Sequence, residues 1–274
     1  MIPSLSALFN KALAFFMRDF RIETRYKLAY FGQFASGIYP IILLHFFSKM
    51  VPSSSELALG HSTGYFSFAL IGLAFTQYFL SAMNLFEDTI RRHQTSGCLE
   101  ALLNTRTSPE LVIILSPIYS FAMKSLNLVF CVGVSCGFFG LDLSRANYFS
   151  AFFVMVLSVL CFVSVGILAA AFILHFKKGG FIEVILGSLT VLFSGAFFPK
   201  ATLPPWMQVI GEFLPITYAI RSLRCALLDG AGITGQFPDL IIMVLFIVVL
   251  FPLSIMLFSV TVSRGRRNGS LLKY

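Results

Sequence analysis

The chain has 274 residues, of which 57% are hydrophobic and only 12% charged, with a mean hydropathy of +0.86. Soluble domains carry roughly 25% charged residues, so a water-facing globule is excluded: there is too little polar surface to cover it. The net charge of +8 does not point to nucleic acid, because the basic residues cluster between apolar runs, as membrane orientation demands.

Residues 5–26 predict an amphipathic helix. Phe9, Leu13, Phe16 and Phe20 share one face, and Lys11, Arg18 and Arg25 recur on the opposite side. An aromatic face against a cationic face suits the membrane interface, lying flat before the first span. Lys11, Arg18, Arg21 and Arg25 also interrupt the segment, so it lacks the apolar stretch of a cleavable signal.

Six apolar runs follow, at 28–47, 65–86, 111–139, 148–176, 181–198 and 240–262. Each is long enough to cross roughly 30 Å of hydrocarbon. The third and fourth exceed that length and are expected to tilt or project. With six spans both termini face one side. That side holds Lys11, Arg18, Arg21, Arg25 and Lys27, then Arg91, Arg92 and Arg106, then Lys177 and Lys178, and the tail residues Arg264, Arg266, Arg267 and Lys273. The other side holds Lys49, Arg145, Lys200, Arg221 and Arg224. The excess of positive charge places the first side, with both termini, in the cytoplasm.

A charged island, "EDTIRRHQTSGCLEALLNTRTSPELV", separates the second and third runs. Glu87–Arg91 and Asp88–Arg92 are acid-before-base pairs four apart, which favours continuation of the second helix as far as Arg92. His93 to Gly97 breaks it. With Gly97 as cap, Glu100 falls where a carboxylate meets free amides, and Leu99, Leu102 and Leu103 line one face of a short helix. A helix this short is not stable alone; it packs back onto the membrane domain or docks onto a partner. Ser108-Pro109-Glu110 then reads as the start of the third helix. Lys124 lies within that third run, about 20 Å from its start. It is a candidate pathway residue, able to neutralise an anionic headgroup or phosphate.

Residues 197–232 are long enough to span, yet carry Gln208, Glu212, Pro215, Arg221 and Arg224. Each Arg at a helix centre costs about 2.5–3.5 kcal/mol on insertion scales. The segment is therefore expected as two short helices dipping into the outer leaflet, about 204–213 and 216–228. Pro204 and Pro205 open the first and Pro215 the second, with Trp206, Phe213 and Tyr218 at headgroup level. No linker, repeat or soluble domain divides the chain, so residues 1–274 read as a single membrane domain.

The cysteines Cys98, Cys131, Cys136, Cys161 and Cys225 form no CxxC pair and read as small apolar residues, with neither a disulfide framework nor a metal site. His45 and His175 fall near span ends, and Glu183 lies close enough to its end to snorkel or to pair with Lys177 or Lys178. No phosphate-binding loop is present: Lys200 after "GAFFP" lacks the second glycine and the following hydroxyl residue. Nor is there a hydrolase or metalloprotease motif. The rival to an exporter is a secondary transporter or channel, but ionisable residues within the spans are scarce and the two halves do not match.

The island sequence "GCLEALLNTRTSPEL" resembles the loop between the second and third helices of ABC-2 type transporter permeases, with its Gly-x-Leu-Glu-x-Leu-Leu…Ser-Pro pattern. The stretch "FSGAFFPKATLPPWMQVIGEFLPITYAIRSLRCALLDG" is similar to the same family's segment between the fifth and sixth helices. The likeness covers about residues 10–262. Family members often carry Pro where Arg106 stands, and Gly-Lys near Ser116-Pro117, so the local geometry at the island's end departs from the pattern.

The resemblance implies an all-α membrane protein of six transmembrane helices, with an N-terminal interfacial helix (5–26), a cytoplasmic loop (87–110) and an outer re-entrant segment (199–232). It implies a multi-pass permease subunit of a bacterial cytoplasmic-membrane exporter. Such a subunit dimerises and is driven by a separate ATPase subunit that holds the ATP and magnesium, so this chain needs no cofactor. The coupling helix would be 97–104, with Gly97, Leu99, Glu100, Leu102 and Leu103 facing the ATPase. Glu87, Asp88, Arg91 and Arg92 would mark the membrane boundary. Pro199, Pro204, Trp206, Pro215, Tyr218 and Arg221 would belong to the outer segment. With 32 Phe, the expected cargo is amphipathic or lipid-linked: a glycolipid or polysaccharide first, a hydrophobic drug or polyketide second.

Overall fold

The computed structural model describes residues 5–24, 27–50, 64–95, 115–176 and 181–267. Within them every regular element is helical: α1 (Leu5–Glu23), α2 (Lys27–Ser48), α3 (Tyr65–Thr95), α4 (Ile118–Phe138), α5 (Tyr148–Phe176), α6 (Phe181–Phe193), α7 (Pro205–Glu212), α8 (Pro215–Leu227) and α9 (Phe237–Arg267). Single 3-10 turns precede α7 (Lys200–Thr202) and α9 (Ile233–Gln236).

The centre is α5, which packs against α9, α3 and α8. Small residues allow the close crossings that helices need where lipid supplies no hydrophobic drive. A Cβ on Gly166 of α5 would sit 2.5 Å from the Phe86 ring and 3.2 Å from the Ala82 carbonyl of α3. On the other flank the Cys161 thiol of α5 donates to the Met243 carbonyl of α9 at 3.4 Å. The hydroxyls of Ser158 and Ser164 donate to carbonyls one turn back, Val154 and Leu160, which satisfies them inside an apolar helix. The core proper gathers Phe75, Phe79, Phe162, Ile216 and Met243. A second apolar cluster, with Ile41, Leu44, Ala69, Leu70, Cys131 and Leu141, joins α2 and α3 to α4.

Outward faces are as apolar as the core. Val244, Leu245, Val248 and Met256 of α9 are exposed, as are Phe149 and Phe152 of α5. Such faces have no place in water and match hydrocarbon.

Among the described residues four helical stretches are long and apolar enough to cross a membrane: Tyr65–Phe86, Ile118–Phe138, Tyr148–Leu174 and Ile233–Arg264. A shorter apolar stretch, Phe34–Ser48, lies in the 22-residue α2. Several expectations shift. The helix expected over 181–198 is only 13 residues, α6, ending at Phe193. Gly195 adopts φ 72°, a left-handed conformation that stops a right-handed helix and that glycine takes without a Cβ penalty. The second helix runs past Arg92 to Thr95. The third begins at Ile118, because Pro117, at φ −83° and ψ 2°, occupies its N-cap; the expected start at Ser108-Pro109-Glu110 lies outside the described residues. The amphipathic helix ends at Glu23, where the Thr24 hydroxyl turns back onto the Phe20 carbonyl at 2.8 Å.

Candidate functional site

The chain from Ser194 to Gly232 folds as a hairpin of two short helices wedged between α6 and α9. Proline opens both, as the sequence predicts: Pro205 and Pro215 stand in the first turns, where a missing N–H leaves nothing unpaired. The turn between them is closed by side chains. The Thr217 hydroxyl donates to the Gly211 carbonyl at 2.8 Å, and the Tyr218 hydroxyl to the Glu212 carbonyl at 3.1 Å. Gln208 donates to the Leu203 carbonyl at 2.8 Å, holding the approach to α7. Gly211 faces the Phe193 carbonyl so closely that a Cβ there would collide with it. Trp206 meets the Phe193 ring edge-on at 6.3 Å. So α7 is seated on the C-terminal end of α6.

A polar chain runs along the solvent side of the hairpin. Lys200 pairs with Glu212, whose carboxylate also accepts the Tyr218 hydroxyl. The ammonium and then the phenol hold the Glu212 carboxyl below the usual carboxylate range. Arg221 forms a two-pronged bond to Asp239 at the start of α9, its Nε at 2.7 Å from Oδ2 and its Nη2 on Oδ1. Its guanidinium also lies 5.3 Å from the Tyr218 ring centroid. These contacts join the turn before α7, both hairpin helices and α9.

One turn further along α8 stands Arg224, only 5% exposed. A bare buried guanidinium would be prohibitive. Here it donates from Nε to the Phe68 carbonyl of α3 at 3.1 Å, from Nη1 to Gly195 at 2.8 Å and from Nη2 to Ala196 at 2.5 Å. It also stacks on the Phe68 ring, 3.5 Å from the centroid. The carbonyls of Gly195 and Ala196 belong to the turn just after α6, so one side chain fixes that turn and ties it to α3 and α8. Gly72 makes the approach possible: a Cβ there would strike the Ala196 carbonyl and stand 2.5 Å from Arg224 Nη2. The far end of α8 is tied to the loop before α5, with the Asn147 amide donating to the Ala226 carbonyl at 2.9 Å.

A second feature lies between α2, α3 and α4. A cavity of about 260 Å³ is lined by Ser36 and Gly37 of α2, by Gln77, Tyr78 and Ser81 of α3, and by Lys124, Asn127 and Cys131 of α4, with apolar residues between them. Lys124 is the cavity's cationic lining residue, half-buried, with Glu23 and Asp88 as its electrostatic neighbours. Beside it, Tyr78 and Ser125 share a hydroxyl–hydroxyl hydrogen bond of 2.8 Å. At the base of α4, Tyr119 receives the ring edges of Phe16 and Phe20 from α1 at 5.3 and 6.2 Å.

A family model described as ABC-2 type transporter matches residues 11–228, from within α1 to the C-cap of α8. The chain belongs to the ABC-2 type transporter family. It is an integral, multi-pass membrane protein. It is 26% identical over 200 residues to a protein of Porphyra purpurea whose name describes a transport permease, ycf38. That match spans 69% of this chain and 65% of the relative's length, just under two thirds.

Against this family background the sequence expectations divide. Pro199, Pro204, Trp206, Pro215, Tyr218 and Arg221 all fall in the one hairpin. Tyr218 and Arg221 are in mutual contact, while Pro199 caps the preceding turn and Trp206 is exposed. Lys124 falls in the second turn of α4 and lines the cavity. The residues Glu87, Asp88, Arg91 and Arg92 lie in the last turns of α3; Asp88 is exposed, and the side chains of the other three lie outside the described residues. Gly97, Leu99, Glu100, Leu102, Leu103 and Arg106 lie outside them entirely. Arg224 is what sequence reasoning missed, having treated it with Arg221 as one insertion penalty. The available signal was its setting: Leu223, Cys225, Ala226 and Leu227 surround it, whereas Arg221 lies one turn away on the exposed side.

Proposed function

We propose that the chain is the permease subunit of an ATP-driven exporter, moving an amphipathic or lipid-linked cargo outward through a dimer of this chain. In this reading there are six spans, with α2 and α6 completing the set and both termini cytoplasmic. The short helix 97–104 docks by Leu99, Leu102 and Leu103 onto an ATPase subunit supplied in trans, which alone holds ATP and magnesium. Gly97 and Glu100 form its cap, and Glu87, Asp88, Arg91 and Arg92 mark the membrane boundary. The α7–α8 hairpin closes the outer end of the path, and Lys124 lies along it.

One observation carries this reading. Helix α3 runs unbroken for 31 residues, Tyr65–Thr95, about 46 Å, with the Arg224 contact at Phe68 in its first turn and Thr95 just before the leucine segment. A rigid rod therefore links the place where an ATPase would push to the clamp that holds the hairpin. Closure of the ATPase pair would move 97–104, tilt α3 and load the contacts of Arg224, which is the kind of two-state interface that converts a small shift into opening.

The test is to replace Leu99, Leu102 and Leu103 by Asp in the full chain. Membrane insertion should persist while co-purification of an ATPase subunit is lost; undiminished co-purification would refute the coupling role. Cysteine placed at Phe213, which is 75% exposed, or at Gly232, where a side chain has room, should be labelled from outside the cell. Labelling from the cytoplasm alone would overturn the orientation.

A further inference from the structure

The cavity between α2, α3 and α4 combines features that a mere packing void does not share. Voids left between helices in a membrane protein are apolar. This one is bordered by a cation and by amide, hydroxyl and thiol groups from three helices. Among the described residues no carboxylate lines it, while Glu23 and Asp88 act on Lys124 electrostatically. Among the described residues no hydrogen bond or ion pair fixes the Lys124 ammonium. Its volume, about 260 Å³, falls below the roughly 300–1,000 Å³ that encloses a drug-sized molecule, so it holds a headgroup rather than a whole amphiphile. Gly37 sets the wall of the cavity by letting α2 approach α4 closely: a Cβ there would stand 2.6 Å from Cys131 Sγ and 3.3 Å from Asn127 Oδ1, so a larger residue would push the two helices apart.

We propose that this cavity binds the phosphate-type anionic headgroup of an amphipathic molecule, with Lys124 as counter-charge and Gln77 and Asn127 as hydrogen-bond partners. The proposal rests on the permease reading and names the chemistry that a single protomer holds. A compact ammonium on a flexible stem acts as a point charge toward phosphate, and in a membrane setting its attraction is weakly screened.

The full-length chain in nanodiscs of phosphatidylcholine doped with phosphatidylglycerol tests this by native mass spectrometry, with no ATP or ATPase present. Phosphatidylglycerol should be retained over phosphatidylcholine. Lys124→Gln should lower that retention about tenfold, the loss of one charge-assisted hydrogen bond, while Lys124→Arg keeps most of it. Gly37→Ala should lower it too without changing any charge. Lys49→Gln, at the far end of α2 against the Phe46 ring, should leave it unchanged. Added inorganic phosphate separates the sources: failure to displace the lipid assigns a lipid headgroup, and displacement assigns free phosphate to the same anion site. Equal retention of the two lipids by the wild type, or a preference untouched by both Lys124→Gln and Gly37→Ala, would overturn the proposal. Lipid retention that depends on Lys124 in a chain that captures no ATPase would instead sink the permease reading and leave the site standing.

Discussion

Arg224 and Lys124 are two cations in the interior of one helical membrane protein, and they are treated in opposite ways. Arg224 is buried in α8 and saturated, its planar fork spread over three carbonyls and an aromatic face. Lys124 borders a cavity and faces neutral amides and hydroxyls. A guanidinium has five donors in a fixed geometry and can be consumed entirely by backbone, so it serves as a fastener. An ammonium at a cavity wall keeps its charge available to whatever enters. The lesson is that the number of partners around an interior charge, rather than the charge itself, separates a structural cation from a binding one.

The comparison is most severely tested by removing each cation in turn. Arg224→Met leaves the carbonyls of Phe68, Gly195 and Ala196 without their donor, and each orphaned buried group costs about 1–3 kcal/mol. The expected loss is therefore about 3 kcal/mol or more, read as a large drop in Tm of the purified chain in detergent. Arg224→Lys should recover only part of it, since a point charge cannot reach three carbonyls at once. A variant that melts with the wild type would erase the distinction.

A smaller effect is expected at Gly72. A methyl group added there meets the Ala196 carbonyl and Arg224 Nη2, which is backbone on one side and a fully engaged side chain on the other. Gly72→Ala should destabilise by about 1–3 kcal/mol, and the same change combined with Arg224→Met should cost less than the sum, because the two share one contact. Strict additivity in the double-mutant cycle would show that the glycine matters for some other reason.

The smallest effect belongs to Lys124→Met. Taking away a half-buried cation for which the described residues show no ion pair relieves desolvation and gives up only the attraction of Glu23 and Asp88, so stability should stay within about 0.5 kcal/mol of the wild type, read as a nearly unchanged Tm. A fall as large as that of Arg224→Met would place Lys124 among the fasteners and remove its claim on a ligand.

The helices themselves were largely legible. Apolar run length gave α5 at its observed bounds, 148–176, and placed α2, α3 and α9 to within a few residues, or nine at the far end of α3. Proline at a first turn announced both hairpin helices. What failed were the ends governed by non-local contacts. Composition continues apolar through Phe193-Ser194-Gly195-Ala196-Phe197, and nothing local says that the helix stops at Phe193. The turn that follows is fixed from a distance: Arg224, nearly thirty residues later, donates to the carbonyls of Gly195 and Ala196.

The sequence by itself determined that this chain lives in a bilayer, which segments are too polar to cross it, and which family it joins. Those properties are sums over local residues: apolar length, charge position, proline at helix starts. Only the tertiary structure decided that Arg221 faces outward to Asp239 while Arg224, three residues on, is the buried clamp, and that Lys124 faces a cavity shared with Gly37 and Gln77. Those assignments depend on which carbonyls and which gaps three separate helices bring together, and no stretch of sequence contains that information alone.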